Sequence, residues 1–299
     1  MSTEYTTTNN TVYQIVTEQI LAQLEAGVAP WRQPWKGSSL PCNMVSLRPY
    51  RGINALLLGL APFTSPYYLT FKQIQDLGGN VKKGSKSQIV VFWKFFDEKE
   101  AEENEQTAKE NKGRRPALLR YYRVFNYEQT EGLENHLPGQ NNQIDFQPID
   151  EAARLIENMP KRPNITHDEQ RAFYSPRKDT VNLPVAESFD SPEDFYATAF
   201  HELTHSTGHE SRLNRPSVAN TEKLSPFGSP DYSKEELIAE LGSAFLCAFV
   251  GINNTLETSA AYLQGWLDVL KEDSRMIVTA ASAAQKAADF ISGQFVEEN

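Results

Sequence analysis

Three of the five histidines lie in one short segment, HELTHSTGHE, at positions 201, 205 and 209. Residues four apart lie on one face of an α-helix, so His201 and His205 would direct two imidazoles toward one point, as tetrahedral zinc requires. Glu202 lies about 100° around the helix. From there it misses the metal but can act as general base on a water molecule. The alternative is a polar helix that happens to contain histidines.

The residues before this segment predict the helix that would carry it. Ser191 is placed as N-cap, Pro192 occupies the first helical position, and Asp194 stands where a capping box needs an acid. Apolar residues then recur at helical spacing, at Phe195, Ala199, Phe200 and Leu203. A capped amphipathic helix through the histidines favours a metal site over a polar helix that happens to contain histidines.

A third ligand must come from elsewhere in the chain. The metzincin pattern would place a histidine at position 211, which is Ser211 here. His209 lies one turn beyond His205, too far along the helix to complete the same tetrahedron, and is expected at the helix end or near substrate. The segment KEELIAELGSAF offers Glu236 and Glu240, four apart on a second predicted helix, 234–250. Buried carboxylates are costly unless paired or metal-bound, so both need a cation nearby.

The spacing of these two acids resembles the second motif of the gluzincin metalloproteases. That resemblance implies Glu236 as metal ligand and Glu240 as the acid that orients a ligating histidine, with the reverse assignment as an alternative. Glu235 is expected in solvent.

Two histidines and one glutamate leave a coordination position open for water, which is typical of catalytic rather than structural zinc. A metal site that has lost its chemistry is the alternative, and the presence of Glu202 weakens it. Tyr174 and Tyr232 are candidates for stabilising an oxyanion, with ordinary packing as the alternative. The segment AFYSPRKDTVNLP, before the histidine helix, is expected to form two short strands along which a peptide could lie.

The composition fits a soluble globular protein of about two domains. Of the 299 residues 39% are hydrophobic, and the mean hydropathy is −0.52. No apolar run reaches the length of about 18 residues that spans a bilayer, and the N-terminus has no features of a secretory signal. With only Cys42 and Cys247, neither a disulfide framework nor a thiolate zinc site is expected. The expected location is the cytoplasm, without a membrane partner.

The net charge of −10 argues against nucleic acid, but the charge is segregated along the chain. Residues 28–94 carry nine basic residues and one acidic residue, a net charge of +8, which leaves −18 for the remainder. Such segregation is typical of a polyanion-binding module joined to an acidic domain. A solvated basic face is the alternative.

Aromatic residues alternate with these basic residues, a combination that binds single-stranded nucleic acid by stacking and phosphate contact. Alternate residues of a strand predicted at 89–96 are expected in the core, whereas the tryptophans of the proline-bound PWRQPW loop are expected to be exposed. The predicted DNA contacts are Trp31, Arg32, Trp35, Lys36, Arg51, Lys72, Lys82, Lys83 and Lys86.

The predicted fold is α+β with two domains. A small α+β domain is placed at 1–135, with a flexible charged insert at 97–116, followed by a linker at 136–148. The second domain, 149–299, is expected to be mostly helical with a short antiparallel sheet.

Several segments in this order resemble the ArdC-type antirestriction proteins of conjugative plasmids, over about residues 12–251. They are PWRQPW, YRGIN, YLTFKQIQDLGGNVKKGSKSQIVVFW, HELTHSTGH and EELIAELGSAF. The resemblance implies an N-terminal single-stranded-DNA-binding domain and a C-terminal zincin-like metallopeptidase domain. It also implies His201, His205 and Glu236 as metal ligands and a role in protecting incoming plasmid DNA.

The function expected from the sequence is therefore antirestriction during conjugation, with single-stranded DNA binding and a gluzincin-type peptidase site. The expected metal is Zn²⁺, or another divalent ion such as Mn²⁺, and a host restriction-system protein is a candidate substrate. Two alternatives remain open. One is a plain metallopeptidase with a protein-recognition N-terminal domain, and the other is a DNA-binding decoy with a non-catalytic metal site.

Overall fold

The structure, a computed structural model, describes residues 9–32, 40–95, 117–138, 148–219, 229–252 and 260–294. Within these ranges it shows helices and sheets in two domains, which confirms the predicted α+β class. The charged insert at 97–116 lies outside the described residues, as does 139–147 of the predicted linker. The domain bounds themselves remain a prediction.

The described part of the N-terminal domain combines three α-helices with two sheets. Its elements are α1 Asn9–Glu25, β1 Cys42–Asn43, α2 Ile53–Gly59, β2 Tyr67–Thr70, α3 Phe71–Asp76, β3 Asn80–Val81, β4 Gln88–Phe95, β5 Ala117–Asn126 and β6 Thr130–Glu131. The larger sheet has the order β1-β2-β5-β4, and β5 runs antiparallel to both its neighbours. Strands β4 and β5, which lie on either side of the charged insert, therefore pair with each other.

The C-terminal domain is mostly helical, as predicted. Its elements are α4 Pro148–Glu157, β7 Asn164–Thr166, β8 Phe173–Ser175, β9 Thr180–Asn182, α5 Pro192–Ser206, α6 Pro216–Ala219, α7 Pro230–Val250, α8 Ala260–Glu272 and α9 Met276–Ile291. Strands β8 and β9 form the expected antiparallel hairpin. Strand β7 adds a parallel neighbour to β9 that the sequence did not predict. The buried Asn182 side chain holds the loop between β7 and β8 by accepting hydrogen bonds from the backbone of Asp168 and Glu169.

Helix α5 begins as the sequence predicts. Ser191 is the N-cap, its hydroxyl accepts a hydrogen bond from the Asp194 N–H at 3.2 Å, and Pro192 follows in the first turn. Phe200 and Leu203 are fully buried. This packing fixes the rotation of α5, and with it the direction in which His201 and His205 point.

Helix α7 packs closely against α5 because Gly242 has no side chain. A Cβ atom at this position would lie 2.5 Å from Cγ2 of Thr204, well inside van der Waals contact. Thr204 is the residue before His205, so the glycine sets the spacing of the two site-bearing helices directly beside the site.

The two domains share one hydrophobic core, which includes residues of α1, α2, β4 and β5 as well as α5 and α7–α9. Trp31 lies in this core with 1% of its surface exposed, packed edge-to-face on Trp266 of α8 at 5.0 Å between ring centroids. The prediction of an exposed Trp31 was therefore wrong. Arg51 also joins the domains, through an ion pair with Asp289 of α9. None of the helices that the structure describes is long and apolar enough to cross a membrane.

Candidate metal centre

Helices α5 and α7 bring three side chains to one point. The Nε2 atoms of His201 and His205 are 3.2 Å apart, and their rings are inclined at 77°. Glu236 approaches from α7, with Oε2 3.6 Å from His201 Nε2 and Oε1 3.6 Å from His205 Nε2. Within the described part of the chain these three residues form a group of ligand atoms lying within 4.8 Å of one another.

The distances between these ligand atoms suit a small divalent cation. Two ligands about 2.0–2.1 Å from a tetrahedral zinc ion lie roughly 3.3–3.4 Å from each other. The observed separations of 3.2 and 3.6 Å bracket that value. The three residues predicted as ligands therefore fit a metal without rearrangement of either helix.

The electrostatics of the cluster also favour a cation. Burial disfavours a charged His201, yet a hydrogen bond with Glu236 and the negative charges of Glu202, Glu240 and Glu236 raise its pKa to about 9. Burial also disfavours the charged form of Glu236 and by itself would raise its pKa. A hydrogen bond from His201, the charges of His205 and His201 and a hydrogen bond from Tyr232 outweigh burial and lower the pKa of Glu236. Excess negative charge in a buried place attracts either a proton or a metal ion.

The sequence-based prediction that Glu235 lies in solvent was wrong. Glu235 is buried, with 6% of its surface exposed. It accepts hydrogen bonds from Arg215 Nη2 at 2.5 Å and Ser217 Oγ at 2.6 Å, and its Oε1 lies 3.4 Å from His205 Nδ1. Burial alone would raise the pKa of Glu235, but mainly the charge of Arg215 lowers it to about 2. Glu235 therefore remains an anion and orients the His205 ring through the nitrogen that does not face the metal position.

Sequence reasoning missed this role because Arg215 comes from a loop with no recognisable motif. One signal was present, since residues 237–239, directly after the two acids, are all apolar. A helix that is apolar on every side is buried all round, and a carboxylate on it must be paired.

Glu240 is buried, and its charge contributes to the raised pKa of His201. An acid that orients His201 would accept a hydrogen bond from its Nδ1 atom. This bond is not formed, since His201 Nδ1 is buried and has no hydrogen-bond partner among the described residues. The geometry thus places Glu236, rather than Glu240, with the two imidazoles.

We expect Arg215→Ala to destabilise the metal-free protein by about 3–5 kcal/mol, because it leaves the buried Glu235 carboxylate uncompensated. Urea unfolding with chelator present measures this change. The double variant Arg215→Ala/Glu235→Gln is the matched control and should recover part of the loss, since a neutral amide needs no cation. If the single variant unfolds at the wild-type urea concentration, the ion pair does not support the site.

The site opens into a cavity of about 430 Å³. Strand β8, at the edge of its sheet, forms one wall, and Glu202, Tyr174 and Tyr232 also line the cavity. Tyr232 hydrogen-bonds the Glu236 carboxylate. The Tyr174 hydroxyl donates to Asp179 Oδ1 at 2.9 Å, and partial burial together with Asp179 raises its pKa. His209 lies apart, with Nδ1 2.8 Å from Ser211 Oγ, in agreement with its predicted place outside the ligand set.

The predicted DNA contacts are only partly gathered in space. Trp35, Lys36 and the side chain of Arg32 lie outside the described residues. The other basic candidates are all exposed: Arg51, Lys72, Lys82, Lys83 and Lys86. Three of these share the turn between β3 and β4, where the Nζ atom of Lys82 donates to the Glu128 carbonyl at 2.8 Å.

Two family models match the chain. The N-terminal domain of anti-restriction factor ArdC matches residues 10–125, and a zincin-like metallopeptidase model matches residues 150–283. Two solved structures of the antirestriction protein ArdC from plasmid R388 are similar over nearly the whole chain. The Mn(II)-bound form has a TM-score of 0.73 at 35% identity, covering 96% of this chain and 99% of that one. The metal-free form has a TM-score of 0.72 at 36% identity, covering 95% and 99%.

Curated relatives are similar over the same extent of this chain. DNA primase TraC of Escherichia coli is 36% identical over 93% of this chain, which spans only 27% of the length of TraC. Protein y4eC of Sinorhizobium fredii is 34% identical, with 95% of this chain and 92% of y4eC covered. The geometry of the site and these matches together confirm the resemblance seen in the sequence, and the chain belongs to the ArdC-type antirestriction proteins.

Proposed function

We propose that this antirestriction protein binds single-stranded DNA through its N-terminal domain and hydrolyses a peptide bond in its C-terminal domain. The observation that carries the peptidase half is the convergence of His201, His205 and Glu236 beside Glu202 in one open cavity. A structural zinc site would be closed by a fourth protein ligand, which the described cluster does not include.

Each residue then has a defined task. Zn²⁺ or Mn²⁺, both compatible with imidazole and carboxylate ligands, would polarise the substrate carbonyl and acidify water when bound. His201, His205 and Glu236 hold the ion, and Glu235 fixes the ring of His205. Glu202 takes a proton from the attacking water and passes it to the leaving amine. Among the described strands β8 is at the edge of its sheet, and its backbone offers hydrogen bonds that hold an extended peptide beside Glu202.

The DNA half of the proposal has separate support. The match to the ArdC N-terminal domain covers the segment that carries a net charge of +8. Two TraC relatives that contain a similar region are named DNA primases, so the region occurs within proteins named for an activity on DNA. The turn with Lys82, Lys83 and Lys86 supplies exposed cations for phosphate contacts.

Hydrolysis of a mixed fluorogenic peptide library tests the peptidase half. The full chain loaded with Zn²⁺ or Mn²⁺ should cleave members of the library, and a chelator should stop cleavage until metal is returned. A fully loaded protein that cleaves no peptide and no restriction-system protein would contradict this half and leave the metal as a structural element.

Salt titration of oligonucleotide binding tests the DNA half. For a single strand held by several cations, we expect the logarithm of the affinity to fall with the logarithm of the salt concentration, by about 0.7 per phosphate contact. Fluorescence anisotropy of a labelled oligothymidylate gives this slope. An absence of binding at low salt would contradict the proposal and favour an N-terminal domain that recognises protein.

A further inference from the structure

One face of the main N-terminal sheet changes from buried to exposed along β4. On this face Val90 is 1% exposed, yet Phe92, two residues on, is 47% exposed. Tyr122 of β5, directly opposite Val90 in the strand register, is 41% exposed. The small core that covers this face, with Tyr50 and Leu58 among its members, therefore ends before the two aromatic rings.

Phe92 and Tyr122 lie diagonally across the two strands and contact each other. Their ring centroids are 5.7 Å apart with an interplanar angle of 68°, an edge-to-face arrangement. Such a pair leaves a broad ring face uncovered by its partner. On the side of β5 away from β4, the described part of β2 pairs only with residues 124–126, so no described strand lies beside Tyr122 on that side.

Two cationic residues share this face with the rings. Arg120 is directly opposite Phe92 in the register, and the exposed Lys94 follows Phe92 by two residues on the same face. Single strands are held by this combination, in which bases stack on aromatic faces and cations contact phosphates.

We infer that Phe92, Tyr122, Lys94 and Arg120 form a stacking platform for the bases of single-stranded DNA. We call these four residues the sheet patch. The inference rests on the DNA binding proposed above and gives it a location that differs from the predicted one, since Trp31 of the PWRQPW loop is buried. Duplex DNA does not fit this platform, because its bases are already stacked and only their edges are accessible.

The sheet patch has a structural alternative, which is a cross-strand aromatic pair that only stabilises the β4–β5 hairpin. The two roles differ in what they require of the side chains. Hairpin stability needs apolar bulk and β propensity, which isoleucine retains, whereas base stacking needs the π face, which isoleucine lacks.

The test measures oligothymidylate binding by the full, metal-loaded chain, with an oligonucleotide of about 20 nucleotides, longer than common single-domain sites. Phe92→Ile/Tyr122→Ile should weaken binding at least about tenfold, the loss expected for one or two stacked bases. The matched control is Phe71→Ile, which removes another half-exposed aromatic ring from the same domain and should change affinity by less than about threefold. If the double variant binds as the Phe71 variant does, the inference is overturned.

The cationic residues are tested through the salt dependence. Lys94→Gln/Arg120→Gln should reduce the salt slope by about 1.4, since each phosphate contact contributes about 0.7 on a single strand. Lys271→Gln removes an exposed charge from the C-terminal domain and should leave the slope unchanged. An unchanged slope in the double variant would overturn the assignment of phosphate contacts.

Photocrosslinking of 5-iododeoxyuridine oligonucleotide to the wild-type chain gives a result that does not depend on how the variants fold. We expect crosslinked peptides to contain Phe92 or Tyr122. Crosslinks confined to other peptides would contradict the sheet patch while leaving DNA binding intact. If the wild-type chain binds no oligonucleotide at low salt, the proposed DNA function fails and the sheet patch fails with it.

Discussion

Glu202→Gln is expected to lower the rate of peptide hydrolysis by about 10²- to 10⁴-fold, the usual contribution of a general base. The amide has nearly the shape of the carboxylate but cannot accept the proton of water at neutral pH. Because Glu202 is not one of the three converging ligand residues, the variant should still bind metal. Single-turnover cleavage of a library-selected peptide and the metal content of the purified variant measure the two properties.

Glu210→Gln is the matched control, since it removes an exposed charge on the same segment outside the cavity. It should retain full activity. A Glu202 variant that cleaves at the wild-type rate would exclude Glu202 as the base. The same pair of variants can be compared for protection of an unmodified plasmid entering a restricting recipient. Undiminished protection by Glu202→Gln would show that antirestriction does not require proteolysis.

Glu236→Gln is expected to weaken metal binding by more than about 100-fold, beyond the 10- to 100-fold losses typical of residues that only orient a ligand. Among the described carboxylates, Glu236 is the one that reaches both imidazoles, with Oε2 3.6 Å from His201 Nε2 and Oε1 3.6 Å from His205 Nε2. Glu240→Gln should have the smaller effect, because Glu240 acts on His201 through its charge.

Competition with a chromophoric chelator measures both affinities under the same conditions. The two variants remove one buried carboxylate each from the same helix, so they control for each other. A larger loss in Glu240→Gln than in Glu236→Gln would reverse the assignment and make Glu240 the ligand.

The parts of the site that could be predicted from sequence depend on local geometry. The spacing of His201 and His205 on a capped helix fixes their common direction, and the periodicity of 234–250 places Glu236 on a second helix. That the two helices lie side by side and share one metal ion was inferred from the resemblance to known families, because no local sequence pattern indicates it.

The parts that could not be predicted depend on contacts between distant segments. Glu235 is buried because Arg215, from a loop with no motif, reaches it. Trp31 is buried because Trp266, from the far end of the chain, packs on it. The sequence shows which segments are rich in aromatic and cationic residues, but only tertiary packing decides which of these side chains remain exposed.

The alternation in β4 shows the same limit on a smaller scale. A period of two predicts that alternate residues of VVFWKFF face the core, but burial along β4 does not alternate. Val90 and Val91 are both buried, on opposite faces of the sheet, because each face is covered there. Phe92 and Trp93 are both exposed, at 47% and 45%, because the packing on each face ends before them. How far along a strand other elements pack depends on those elements rather than on the sequence of the strand itself.

The proposed site holds one divalent ion between helices α5 and α7. Diffraction from crystals grown with Zn²⁺ or Mn²⁺, with data collected at the metal's absorption edge, tests it directly. We expect one anomalous peak about 2.0–2.2 Å from Nε2 of His201, Nε2 of His205 and a carboxylate oxygen of Glu236. An anomalous peak elsewhere, or an ion at this place bound through Glu235 or Glu240 with Glu236 turned away, would contradict it.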